Sequence, residues 1–241
     1  MINRRSLKLR PTLVGALQRP SYEAGSYLAA NDLLTEQRHR LQRLRRHDRY
    51  LHGWGVLCGL QVVPAKEPGR PWGVRVCPGY AMGCCGEEIE VYSPAVLDIR
   101  DSLWNRPTEK GRPAPIAYVG IRYSEEFTKP VPATTPVCGC DETMYEPSRI
   151  QDSYKVDILW VLKGAFIQSF DLCARNLASC PECRDSPYVL LARVTLPASE
   201  SDPITSAHID HPLRRRHLAA TTTLQDQLVR CCCGTHSGRG R

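Results

Sequence analysis

Residues 31–62 read NDLLTEQRHRLQRLRRHDRYLHGWGVLCGLQV, and the spacing of their apolar residues changes part-way along. In the first part, four leucines share one stripe with heptad-like spacing, at Leu34, Leu41, Leu44 and Leu51. Arg and His fill the other faces, and neither Gly nor Pro occurs before Gly53. This pattern predicts a basic helix of about 18–22 residues whose leucine stripe packs against the rest of the protein.

Both ends of this helix carry sequence signals. Asn31 or Thr35 is expected as the N-cap residue, because a side-chain oxygen there accepts from a free backbone N–H. Asp32 and Glu36 follow, where negative charge complements the positive end of the helix dipole. The Gly53-Trp54-Gly55 sequence is expected to end the helix.

After Gly55 every second residue is apolar through Val62, and this alternation is typical of a strand. Further strands are expected at Val74–Val76, Ile89–Val91, Val96–Ile99, Ile116–Tyr123, Tyr154–Leu162 and Tyr188–Leu196. A turn is expected at Pro78-Gly79, and loops at 64–71, 105–115 and 128–149. The fold class is therefore α+β and mostly β: one long basic N-terminal helix, then a β-rich, sandwich-like or barrel-like body with long loops.

Composition limits the possible classes of protein. The chain has 241 residues, of which 42% are hydrophobic and 24% charged, so it is not intrinsically disordered. No apolar run approaches the roughly 18–20 residues of a membrane span, and the N-terminus lacks the features of a signal peptide, so we expect a cytoplasmic protein. We expect an extended arm at 1–30, a single domain at 31–217 and a flexible, basic, cysteine-containing tail at 218–241.

The positive charge is concentrated in three segments, residues 1–20, 38–49 and 213–241. They hold 17 of the 32 basic residues but only two of the 25 acidic ones, which leaves 15 basic and 23 acidic residues elsewhere. An acidic body with basic attachments suits docking onto an acidic partner or onto phosphate. It suits association between copies of the chain equally well.

Twelve cysteines carry the strongest chemical signal. Cys138-Gly-Cys140 and Cys180-Pro-Glu-Cys183 are two close thiol pairs, which together can form a tetrahedral structural zinc site. Cys173 is a spare ligand, and the C-x-C spacing of the first pair is tight. Reduced thiols without metal remain the alternative. Adjacent cysteines, as at Cys84-Cys85 and 231–233, argue against a disulfide framework.

Motifs for catalysis are missing from the sequence. It contains no Gly-x-Ser-x-Gly, no phosphate-binding loop and no dinucleotide fingerprint, so we expect a protein that is not an enzyme. His39, His47 and His52 lie on or just after the basic helix, where a solvated or interface face explains them. A zinc-stabilised nucleic-acid-binding module that uses the Arg-rich helix is the alternative function. The leucine stripe disfavours nucleic acid, because it predicts a packed helix.

Four blocks of the sequence resemble a family of small bacterial proteins associated with gene clusters for phage-tail-like contractile injection systems. They are YLAANDLLTEQ at 27–37, RHDRYLHGWGVLCGL at 46–60, VCPGYAMGCCGEEI at 76–89 and YEPSRI at 145–150, and looser matches follow at Tyr154 and at LARV, 191–194. The resemblance implies a structural component near the baseplate or tail fibres, with other tail or baseplate proteins as partners. Particles of this kind are symmetric, so a homo-oligomer, trimeric or sixfold, is also expected.

Overall fold

The computed structural model describes residues 17–109, 111–132, 145–162, 187–211, 217–218 and 224. In these residues a long helix, α1 (Ala30–His47), precedes twelve strands in four antiparallel sheets. The predicted class, α+β and mostly β, is confirmed. The sheets stay open, since the strand order of each described sheet has two ends and none closes into a barrel.

The start of α1 differs from the prediction, whereas its end agrees. Ala29 occupies the N-cap position, so the N-cap expected at Asn31 or Thr35 is wrong. Asp32 supplies the capping oxygen instead, because its Oδ2 accepts from the Ala29 N–H at 3.0 Å. A π-helical turn, Asp48–His52, continues α1 and ends at Gly53, whose φ of +81° only glycine adopts readily.

The first six strands form two small sheets, and the chain passes back and forth between them. They are β1 (Gly55–Gly59), β2 (Val62–Pro64), β3 (Gly73–Val76), β4 (Gly79–Met82), β5 (Glu88–Val91) and β6 (Ala95–Asp98). The sheet orders are β1-β4-β5 and β2-β3-β6, so the chain changes sheet after β1, β3 and β5. Leu60, with φ of +54°, bends the chain between β1 and β2. The chain bends at Pro78, where a turn was expected, but Gly79 already begins β4, and this connection leads from β3 into the other sheet.

A larger sheet has the order β10-β9-β11-β12, and a short hairpin precedes it. The strands are β7 (Thr108–Glu109), β8 (Arg112–Pro113), β9 (Ile116–Pro132), β10 (Tyr145–Leu159), β11 (Val189–Thr195) and β12 (Ile209–Asp210). The loop expected at 128–149 is wrong at both ends, because β9 and β10 pair as far as Pro132 and Tyr145. Residues 217–218 return to β1, where the Leu218 N–H donates to the Val56 carbonyl at 2.8 Å.

One buried apolar cluster joins the three larger sheets. Its most enclosed members include Val56, Leu60, Val62, Trp72, Val74, Val76, Ile89, Val119, Ile121, Leu191 and Val194. Arg106 lies between two tryptophans of this cluster, with its guanidinium carbon 5.8 Å from the Trp72 ring and 5.5 Å from the Trp160 ring. No residue of α1 belongs to the cluster.

Candidate functional site

The leucine stripe of α1 lies on the surface. Every residue of the helix has some exposure, and the exposed fractions are 46% for Leu34, 42% for Leu41, 52% for Leu44 and 69% for Leu51. The expectation that this stripe packs against the body is therefore wrong. Leu33 is exposed on the same side of the helix, and we call these five leucines the leucine stripe.

Positive charge borders the leucine stripe on both sides. With Leu34 and Leu41 at heptad position a, Arg38 and Arg45 occupy position e and Arg40 occupies position g. Arg40 also pairs along the helix with Glu36, at 2.5 Å. The result is an apolar surface with a basic rim.

The chain before α1 is tied to the first turns of the helix. The Tyr22 hydroxyl donates to Glu36 Oε2 at 2.6 Å. This hydrogen bond raises the pKa of Tyr22, and it lowers the pKa of Glu36 together with the hydrogen bond from Arg40. Both acidic groups of the helix are thus occupied within the chain, Glu36 by Tyr22 and Arg40 and Asp32 by the Ala29 N–H, and the leucine stripe keeps its positive surroundings.

The C-terminal end of α1 is where the helix contacts the sheets. The Arg45 guanidinium lies 4.9 Å from the centre of the Tyr123 ring on β9, and its Nη2 lies 3.7 Å from Glu125 Oε1. Gly86, in the turn between β4 and β5, faces the Arg45 carbonyl so closely that a Cβ atom would overlap it. The block at 76–89 therefore forms the surface on which α1 ends.

Three potential metal ligands meet in the π-helical turn. His47, Asp48 and His52 each offer a ligand atom, and these atoms all lie within 4.8 Å of one another. The two imidazole rings have centroids 5.4 Å apart and planes at 65°. Both histidines are exposed, whereas Asp48 is 7% exposed and its Oδ2 is buried without a hydrogen-bond partner.

The body supplies an acidic and aromatic environment beside Asp48. Tyr80 on β4 has a raised pKa, first because it is partly buried and then because Glu88 and Asp48 lie nearby. Asp48 forms no ion pair with any residue in the described part of the chain. The carboxylate of Asp48 is thus buried beside Tyr80 without an ion-pair partner among the described residues.

The cysteines predicted to bind zinc lie elsewhere. Cys138, Cys140, Cys180 and Cys183 fall outside the described residues, as do Cys173 and 231–233, so the zinc site remains a prediction. Among the described cysteines, Cys58 and Cys77 are free, Cys84 Sγ lies 3.9 Å from Cys85 Sγ, and Cys85 is disulfide-bonded. The expectation that the cysteines form no disulfides is wrong at Cys85.

Sequence reasoning named His47 and His52 but assigned them to a solvated face. It did not connect them with Asp48, because residues five apart lie on different faces of an α-helix. The signal that could have found them is the sequence His47-Asp48-Arg49-Tyr50-Leu51-His52 directly before a helix-ending glycine.

Within the described ranges, no helix is long and apolar enough to cross a membrane.

Comparison with solved structures finds a similarity to a chain of the TssK-TssF-TssG baseplate subcomplex of the type VI secretion system, determined by cryo-electron microscopy. The match has a TM-score of 0.39 and 10% sequence identity, and it covers 76% of this chain. The chain spans 58% of the length of the chain it matches. No protein-family model and no curated protein matches the sequence.

Proposed function

We propose that this protein is a non-enzymatic assembly component of a phage-tail-like contractile injection system. It is made in the cytoplasm and built into the particle at or near the baseplate or tail fibres. The observation that carries the proposal is the exposed leucine stripe, since contiguous exposed apolar surface with a polar border marks an interaction site. The sequence blocks at 27–37, 46–60 and 76–89 support the kind of particle, and they contain both ends of α1 and the turn on which it ends.

The charges around the leucine stripe identify the chemistry of its partner. If two copies of α1 paired in parallel as in a coiled coil, position g of one helix would face position e of the other, and Arg40 would meet Arg45. Like charges in this arrangement oppose pairing. The surface therefore fits an amphipathic helix of a different protein, with leucine-like residues along its seam and Asp or Glu on both sides. Homo-oligomerisation stays a prediction, and it requires another surface of this chain.

The test is affinity purification of the tagged protein from the host that produces it, with identification of the co-purifying proteins. We expect sheath, tube or baseplate proteins in the eluate. The double variant Leu41→Glu/Leu44→Glu is expected to lose them, because it places negative charge in the seam opposite an acidic partner. Tyr92→Glu is the matched control, since Tyr92 is also exposed but lies outside α1. A stable monomer with no affinity for tube, sheath or baseplate proteins would overturn the proposal.

The nucleic-acid alternative makes a different prediction for the same helix. Arg38→Glu/Arg40→Glu would then abolish binding of DNA or RNA, and the affinity of the unchanged protein would fall steeply with salt. The leucine variants would leave that binding intact, because phosphate contacts come from the arginines. Nucleic-acid binding with this pattern, and no tail protein in the eluate, would replace the assembly proposal.

A further inference from the structure

We propose that His47, Asp48 and His52 bind a divalent transition-metal ion of the zinc type at the junction between α1 and the β4–β5 turn. The three residues supply two imidazole nitrogens and one carboxylate oxygen. This site is separate from the predicted cysteine site, and it stands whether or not the protein belongs to an injection particle.

The π-helical turn is what brings the three residues together. Gly53 N donates to the carbonyl of Asp48, five residues earlier, at 3.0 Å, in place of the four-residue spacing of an α-helix. In a continued α-helix, at about 100° per residue, the side chains of His47 and His52 would lie about 140° apart around the axis and so be separated. The wider turn instead sets the two rings 5.4 Å apart. π-Helical turns of this kind occur frequently at functional sites.

The carboxylate of Asp48 gives independent evidence for a cation. Its Oδ2 is buried and has no hydrogen-bond partner, and the carboxylate supplies one of three ligand atoms that lie within 4.8 Å of one another. A buried carboxylate without a partner is strongly unfavourable unless a positive group neutralises it. Arg45 does not take this role, because its guanidinium lies over Tyr123 and approaches Glu125. A bound divalent cation satisfies the carboxylate directly.

The geometry and ligand types select the class of metal. Two imidazoles and one carboxylate suit zinc and its neighbours, and they differ from the all-oxygen sites of calcium and magnesium. Metal–ligand distances of about 2.0–2.2 Å require ligand atoms about 3–3.5 Å apart. Closing the present separation of up to 4.8 Å requires rotation of the two exposed imidazoles. Three protein ligands leave further positions for water, so the site is open on the solvent side.

The test is a titration of the full chain, purified without a histidine tag and freed of metal by chelation, with Co²⁺ and then with Zn²⁺. We expect a Co²⁺ site with visible ligand-field bands and no sulfur-to-cobalt charge-transfer band, and Zn²⁺ displaces it. The double variant His47→Ala/His52→Ala is expected to lose one equivalent of binding. His39→Ala is the control, because His39 lies on α1 outside the cluster.

A second variant separates loss of metal from loss of fold. Asp48→Asn keeps the shape of the side chain and removes the buried charge, and we expect it to weaken Zn²⁺ binding at least about tenfold. Without metal it should unfold no more readily than the unchanged protein. With saturating Zn²⁺ the unchanged protein and His39→Ala should gain more thermal stability than Asp48→Asn or the double histidine variant, which keep only the predicted cysteine site. Equal Co²⁺ stoichiometry and affinity in the double histidine variant and the unchanged protein would overturn the proposal, and so would charge-transfer bands as the sole signal.

Discussion

Gly86 lies in the β4–β5 turn, directly against the end of α1. This close approach predicts that substitution of Gly86 lowers stability. Its φ is +85°, and an added Cβ would overlap the Arg45 carbonyl. Gly69 has a similar φ of +76° but open space around it. We expect Gly69→Ala to lower the free energy of unfolding by about 1–2 kcal/mol, from backbone strain alone. Gly86→Ala should lower it by at least about 1 kcal/mol more, since the helix end must also move.

Chemical denaturation of the two glycine variants measures this difference. Equal losses of unfolding free energy in the two variants would mean that the β4–β5 turn does not contact the end of α1 in solution. A larger loss at Gly69 would contradict the contact outright. The circular dichroism of both folded variants serves as the control for unchanged secondary structure.

The hydrogen bonds of Asp98 predict how the free energy of unfolding depends on pH. The carboxylate is 5% exposed, and burial alone would raise its pKa, but hydrogen bonds from the Arg100 backbone and guanidinium outweigh burial and hold the pKa below the usual value. Because the pKa is lower in the folded than in the unfolded chain, this contribution is complete above about pH 4 and is lost as the pH falls through the folded value. We expect the free energy of unfolding to decrease with acidification in that range.

The variant Arg100→Met isolates the contribution of Asp98 to this pH dependence. It removes the hydrogen bonds that lower the pKa of Asp98, so the protein should be less stable at neutral pH and should lose less stability on acidification. Unfolding measured from pH 7 down to pH 3 checks both effects. A slope with pH that is identical in the variant and the unchanged protein would rule out the role of Asp98.

At the scale of the elements, α1 contributes no side chain to the buried apolar cluster, so we expect its leucines to add little to the free energy of unfolding. Leu41 and Leu44 are about half exposed, whereas Leu60 is fully buried in the cluster that joins the sheets. We expect Leu41→Ala and Leu44→Ala each to change the free energy of unfolding by less than about 0.5 kcal/mol. Leu60→Ala should lower it by about 2–5 kcal/mol. Urea unfolding of the purified monomer checks the contrast, and a loss above 2 kcal/mol at Leu41 would show that the stripe packs internally.

The same helix shows how far the sequence predicts the structure. Its existence, its length and its end at Gly53 follow from the absence of breakers and from the glycine itself. The burial of its leucines could not be predicted, because heptad-like spacing is the same for a helix that packs on its own core and for one that packs on a partner. The cluster of His47, Asp48 and His52 was also missed, because it depends on a π-helical turn that the periodicity does not encode.

The strands divide in the same way. Alternation of apolar residues predicts β3, β5 and β6 closely, whereas β1 and β2 were expected as one run through Val62 and β4 was not predicted. The outer parts of β9 and β10 were predicted as loop because they contain several prolines and few buried residues. Their pairing comes from cross-strand contacts such as the hydrogen bond from the Ser148 hydroxyl to the Lys129 carbonyl, at 2.7 Å, which local patterns do not reveal.

At the scale of the whole molecule, the three larger sheets share one core, and this shared core predicts cooperative unfolding. The cluster includes Val74 from the second sheet, Val91 from the first and Leu191 from the third. Loss of one sheet would expose apolar surface of the other two, so partly folded forms are unstable. Trp72 and Trp160 lie in this cluster and both contact Arg106, so their fluorescence reports on the junction. We expect urea unfolding followed by tryptophan fluorescence and by far-ultraviolet circular dichroism to give coincident single transitions. Val74→Ala and Leu191→Ala should move both transitions together to lower urea, although the two residues lie in different sheets. Separate midpoints for the two signals, or a shift of only one of them in either variant, would show that the sheets unfold independently.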